Sequence, residues 1–220
     1  MIDILYEDNH LFVVDKPPML LTQPSGTSKE NLETFAKELI KKREKKKGGV
    51  FLEAVHRLDK PVSGIVLFAK TSKALSRLTT AMRNRQVKKC YIAWVEGVVS
   101  SEQGILEHWM VHDGHRARLA DQEDVGAKKG RLFYRVRERR KGQTLLDLQL
   151  ETGRYHQIRV QLSGIGHPIV GDEKYGSCQP YFAPGCERGI ALHHYRLEIP
   201  HPIRKEALTI SSPKNFLGHV

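Results

Sequence analysis

HRLDKPVSGIVLFAK, residues 56–70, is where a fold-setting element and a reactive group meet in this chain. Its second half, GIVLFAK (64–70), is a continuous apolar run of strand length, the pattern of a central strand buried on both faces. Ahead of it, Ser63-Gly64 completes a turn, and Asp59 stands in that turn among His56, Arg57 and Lys60. Loops at the edge of a rigid strand commonly carry catalytic groups. The same aspartate could equally serve the turn by accepting backbone hydrogen bonds. The segment alone does not separate the two readings.

Downstream, Thr71 or Ser72 can cap a helix in which Leu75, Leu78 and Met82 share one face. Upstream, LFVVDKPP (11–18) reads as a short apolar strand stopped by Pro17-Pro18, and QPSGTS (23–28) as a turn. Leu32, Phe35, Ala36, Leu39 and Ile40 then follow an amphipathic helical spacing, and the polar KKREKKKGG after them is expected to fray. YIAWVEG (91–97), LFYRV (132–136) and TLLDLQLET (144–152) read as strands, the last alternating over Leu146, Leu148 and Leu150. Residues 102–130 are polar and irregular and are expected to be loop-rich. Ile158, Leu162 and Ile165 fit a short helix, and IALHHYRLEI (190–199) a late strand ended by Pro200 and Pro202. Strands outnumber helices without alternating with them. This predicts an α+β fold around a mixed, largely antiparallel central sheet, with one domain over residues 1–220.

The 220 residues carry 36 Lys+Arg against 25 Asp+Glu, a net charge of +11. The excess is clustered: residues 37–47 hold seven basic and two acidic side chains, and residues 126–142 eight and one. Phosphate-rich partners fit such a distribution, because neutralised phosphates release counterions. No apolar run reaches membrane-spanning length, and the acidic N-terminus MIDILYEDNH lacks the pattern of a signal peptide. A cytoplasmic monomer is expected. Cys90, Cys178 and Cys186 contain no C-x-x-C pair, and no H-E-x-x-H occurs among the 11 histidines, so neither a disulfide framework nor a metal site is expected.

The second dense stretch is GRYHQIRVQLSGIGHPIVGD (153–172). If residues 155–163 are helical, His156 and Arg159 lie three apart on one face. An Arg presented there could pair with a buried carboxylate or a phosphate. By spacing alone, a solvated helix face is the stronger reading.

Together these two stretches resemble the long signatures of the RluA-type RNA pseudouridine synthase family: HRLDKPVSGIVLFAK, and TGRYHQIRVQLSGIGHPIVGDEKYG (152–176) almost residue for residue. NHLFVVDKPPMLL, KKCYIAWVEG and ALHHYRLEIPHP match weaker family segments in the expected order, so the resemblance runs from about residue 6 to 203. Val62 stands where the family usually has Thr, and Gln161 where His is common; both look peripheral to the chemistry. The chain begins at the segment resembling the catalytic domain, so a single catalytic domain without the S4-type RNA-binding domain of many relatives is expected.

The resemblance implies an isomerase that converts specific uridines of ribosomal or transfer RNA to pseudouridine without cofactor or metal. It assigns Asp59 as the catalytic carboxylate, Tyr91 as an active-site tyrosine and Arg159 as the basic partner of Asp59. Arg57 would fill the gap left by a flipped nucleotide and Leu192 would line the uracil pocket, with His56, His156 and Gln157 as further substrate contacts. A glycoside hydrolase would need a second carboxylate about 5–9.5 Å away, and only Glu53 is near Asp59 in sequence. A nucleobase deaminase would need an H-x-E…P-C-x-x-C zinc signature, which is absent. The remaining rival is an RNA-binding or assembly protein that has kept the fold without the activity.

Overall fold

The computed structural model describes residues 2–25, 30–182 and 189–213. Cys186 and the 26–28 part of the expected turn lie outside these residues. Along the chain run β1 (Asp3–Glu7), β2 (Leu11–Lys16), α1 (Leu32–Arg43), β3 (Glu53–Ala54), β4 (Ser63–Ala69), α2 (Ser72–Arg83) and β5 (Lys88–Glu96). There follow β6 (Gln103–Asp113), β7 (Arg116–Ala120), β8 (Lys128–Arg140), β9 (Gln143–Leu150), α3 (Gln157–Gly164), β10 (Leu192–Pro200) and β11 (Ala207–Ser211). The fold is α+β. Its contacts divide into two compact units, one running through Val87 and resuming at His194, the other comprising Lys88–His193.

In the first unit the strand order is β1-β2-β4-β10, with β3 also pairing β4 and β11 pairing β10. The β2–β4 ladder is antiparallel, with Leu11 opposite Ala69 and Val13 opposite Leu67. Alternation sends Leu11, Val13, Ile65 and Leu67 to one face. There they form a core with Leu197 and Ile199 of β10 and with Ala74 and Leu78 of α2. Phe12, Val14, Val66 and Phe68 point the other way and are equally buried, which is why β4 reads as an unbroken apolar run. Thr71 caps α2 as expected, accepting the N–H of Ala74. α1 is capped by Asn31 and buries Leu32, Ala36 and Ile40, while Phe35 and Leu39 remain partly exposed at its rim.

Gly64 lies close against the backbone of a neighbouring strand. Its φ is +115°, and a Cβ there would lie 2.4 Å from the carbonyl oxygen and 2.6 Å from the nitrogen of His194 on β10. Both the conformation and the space exclude a side chain. Gly64→Ala is expected to cost about 2–4 kcal/mol through strain and forced separation of β4 from β10, seen as a lower denaturation midpoint. A midpoint within error of the parent chain would contradict this packing.

The second unit orders its strands β5-β9-β8-β6-β7, and each of these ladders is antiparallel. Here the expectation of a loop-rich 102–130 is corrected: β6 and β7 form a paired hairpin, and β6 also pairs β8 along its length. The stretch looked irregular because one side of the sheet faces solvent. Gln103, Ile105 and Glu107 are exposed, while Leu106 and Met110 are buried. Such strands acquire their identity from a partner, not from an apolar run. β8 extends beyond the expected 132–136 for the same reason.

α3 is corrected as well. It starts at Gln157, and His156 precedes it in a left-handed conformation, φ +52°. No solvated face exists over its first six residues: Gln157 through Leu162 are all buried. Val160 packs with Met110, Ala117 and Tyr175. No helix among the described residues is long and apolar enough to cross a membrane.

Candidate active site

The turn carrying Asp59 is fixed on both sides. Thr22 is buried, and its hydroxyl donates to the Leu58 carbonyl at 2.9 Å while accepting the Leu58 N–H at 3.1 Å. On the other side Lys16, fully buried, donates from Nζ to the carbonyl of Lys60 at 3.2 Å. It also donates to the carbonyls of Leu20 at 2.8 Å and Pro17 at 3.0 Å. Three carbonyls match the three protons of an ammonium. Burial pushes the Lys16 pKa down to about 7, against the charges of Asp59 and Asp15, which hold it up. The Asp59 carbonyl itself closes the turn by accepting the Val62 N–H at 3.1 Å. The Asp59 backbone is thereby held between two anchored residues at the entry to β4, which limits the freedom that its turn has left to lose.

His56 and Arg57, just before it, differ in setting. His56 accepts the Leu67 N–H through Nε2 at 3.3 Å and meets the ring of His194 edge-on, with centroids 5.3 Å apart. Arg57 is exposed.

Tyr91, Arg159, Leu192, His156 and Gln157 belong to the second unit. Tyr91 is buried on β5 opposite Leu148 of β9. Leu192 is also buried, at the end of a segment whose Ala191 carbonyl accepts the N–H of Trp94 on β5. Arg159 is buried and makes a bidentate pair with Asp172, Nε to Oδ2 at 2.7 Å and Nη2 to Oδ1 at 2.8 Å. Its guanidinium lies over the Tyr175 ring, 4.8 Å from the centroid. The carboxylate partner described for Arg159 within its own unit is therefore Asp172, a residue the sequence reading quoted without giving it a role.

His156 stacks on Tyr155 with ring centroids 3.9 Å apart, and its Nδ1 lies 2.8 Å from the Tyr175 hydroxyl. That hydroxyl accepts the Ala117 N–H at 2.8 Å, so its own proton is available to Nδ1. Burial first, then the charges of Arg159 and Lys174, push the His156 pKa down to about 3, with Asp172 opposing. The folded ring thus stays neutral where the unfolded one, near 6.5, takes up a proton. Stability from this group is full above pH 6.5 and declines toward pH 3. His156→Gln is expected to flatten the acid side of the melting curve in that window. An unchanged pH profile would show that His156 titrates normally.

Gln157 is buried and braces its own turn, its side-chain carbonyl accepting from the Thr152 hydroxyl at 2.7 Å and the Arg154 N–H at 3.0 Å. Gln161 ties α3 to the sheet, donating to the carbonyls of Leu106 and Gly130, each at 3.2 Å. Acids answer much of the basic run of β8. Lys129 pairs with Glu107, Arg131 with Glu107 and Glu151, Arg137 with Asp147, and Arg139 with Glu102. Cys90 and Cys178 are free thiols, and no three potential metal ligands converge among the described residues.

Residues 10–164 match the family described as RNA pseudouridylate synthase. The chain belongs to the RNA pseudouridylate synthase family. It is 37% identical to Ribosomal large subunit pseudouridine synthase D of Nitrosomonas europaea over 96% of its own length and 61% of that relative. It is 34% identical to Dual-specificity RNA pseudouridine synthase RluA of Haemophilus influenzae, over 98% of its own length and 94% of the relative. The chain spans less than two thirds of the length of several of the curated synthase D relatives it matches, 61% and 66% of the first two. Among solved structures, human RNA Pseudouridylate Synthase Domain Containing 4 superposes with a TM-score of 0.79 at 26% identity, covering 97% of this chain and 90% of that one. Human RNA Pseudouridylate Synthase Domain Containing 1, at 23% identity and a TM-score of 0.75, shares the fold. Within their own units, Lys16 and Thr22 brace the Asp59 turn while Asp172 and Tyr175 hold Arg159 and His156, and sequence reasoning gave none of the four a role. A lysine within the apolar run LFVVDK was the available signal for the first, since a strand of that composition buries what it carries.

Proposed function

We propose that this chain isomerises specific uridines of RNA to pseudouridine, with ribosomal RNA the first substrate to test and transfer RNA the second. Asp59 is the catalytic carboxylate. Tyr91 and Arg159 act on the same uridine, Arg57 and His56 flank it, and Leu192 supports the base. The observation that carries this reading is the mounting of Asp59: its turn is anchored at Leu58 and Lys60 within the segment that matches the family. An anionic carboxylate can attack the ribose or the base, or assist departure of uracil. The balance is the same by each route. The N1–C1′ bond breaks, the C5–C1′ bond forms, the proton on C5 leaves and N1 gains one. No electron is transferred, and no external group enters.

The target must leave its stack, at a cost on the order of a few kcal/mol, least in loops and single strands. Exposed cations of residues 41–47 and 128–141 contribute to backbone binding.

The test uses transcribed ribosomal and transfer RNA carrying tritium at C5 of uridine. Isomerisation releases tritium to water while the base stays in the chain. A hydrolase would release free uracil instead, and a binding protein would release neither. Retained tritium with both RNA classes overturns the reading.

A further inference from the structure

Lys89 is the second residue of β5, and alternation along the strand puts its side chain on the same face as Tyr91, about 7 Å further on. It lies opposite Leu150, the last residue of β9. Its Nζ rests against the backbone of the turn that follows: a Cβ on Gly153 would come within 2.9 Å of it. No acid and no carbonyl answers this ammonium among the described residues. Burial lowers its pKa, and no neighbouring charge opposes the shift. Lys16, which is fully buried, has three carbonyls; Lys89, which is half-buried, has none.

A second donor borders the same turn. Gln157 is 3% exposed. Its side-chain carbonyl is committed to Thr152 and Arg154, and its Nε2 is buried without an acceptor. Folded proteins rarely leave a buried donor such as Gln157 Nε2 unanswered, and Lys89 adds a half-buried cation beside the same turn. Two such donors beside one glycine turn define a place for an acceptor the protein does not itself provide. Because one donor is a cation, the acceptor that fits is an anion.

We propose that Lys89 is a phosphate-binding residue, its ammonium receiving a backbone phosphodiester of bound RNA at the Gly153 turn while Gln157 Nε2 offers a second hydrogen bond. This rests on the RNA reading above and adds a contact to it. Gly153 keeps the turn open to the phosphate, and Tyr91 on the same face is close enough for one nucleotide to reach both.

The test compares Lys89→Met and Lys89→Arg with the parent chain, using the transcript on which the parent forms pseudouridine. Lys89→Met is expected to melt at about the same temperature, because the half-buried side chain gives up no ion pair or hydrogen bond. It should bind the RNA about tenfold more weakly, the scale of one charge-assisted contact. The slope of log affinity against log salt should fall by about 0.7. Lys89→Arg should keep the slope. An unchanged affinity and slope in Lys89→Met overturns the proposal. So does a lowered melting temperature in both variants with loss of binding, which would make Lys89 a packing residue. If the parent chain itself neither binds nor modifies RNA, the failure belongs to the proposed function and not to Lys89.

Discussion

Asp59→Asn is expected to fold and bind RNA as the parent chain does, and to release tritium from C5-labelled RNA at least about a thousandfold more slowly. That is the usual scale for removing a reacting group. The substitution is nearly isosteric and keeps the main-chain bonds of the turn, including the Val62 N–H to the Asp59 carbonyl. The Thr22 and Lys16 anchors act on Leu58 and Lys60 and are untouched. Activity and stability are therefore separable here. An unaltered melting temperature with lost turnover supports a chemical role. Appreciable isomerisation by the variant would remove Asp59 from the mechanism, and parallel loss of both would return it to the structural role its position in a turn also allows.

Asp172→Asn should act on stability first. It leaves the buried Arg159 guanidinium facing a neutral amide where two charge-assisted bonds of 2.7 and 2.8 Å stood. Breaking one side of a buried pair costs about 3–5 kcal/mol, far more than the pair is worth against an apolar replacement. Urea unfolding should show a lower midpoint with an unchanged slope. The double variant Arg159→Met with Asp172→Leu should recover most of that loss, because neither member of this pair is left without the other. It should not recover turnover if Arg159 also serves the reaction. A loss below about 1 kcal/mol in Asp172→Asn would mean that solvent reaches the pair and that burial does not set its energetics.

Several features of this protein were legible in the order of residues. β2, β4 and β9 announce themselves because period-2 alternation and unbroken apolar runs are local, and so are the cap at Thr71 and the stripe of α2. The α+β class follows from counting such elements. The family was legible through two long ordered signatures. The tertiary structure alone decided the rest. β6 and β7 exist as strands because β8 offers a partner for one face while the other stays wet, and no local pattern contains that information. Arg159 meets Asp172 across 13 positions, Thr22 meets Leu58 across 36, and Lys16 meets Lys60 across 44. At such separations a hydrogen bond's partner is chosen by the path of the chain. A buried ion or hydroxyl takes whichever acceptor the packed fold brings within about 3 Å.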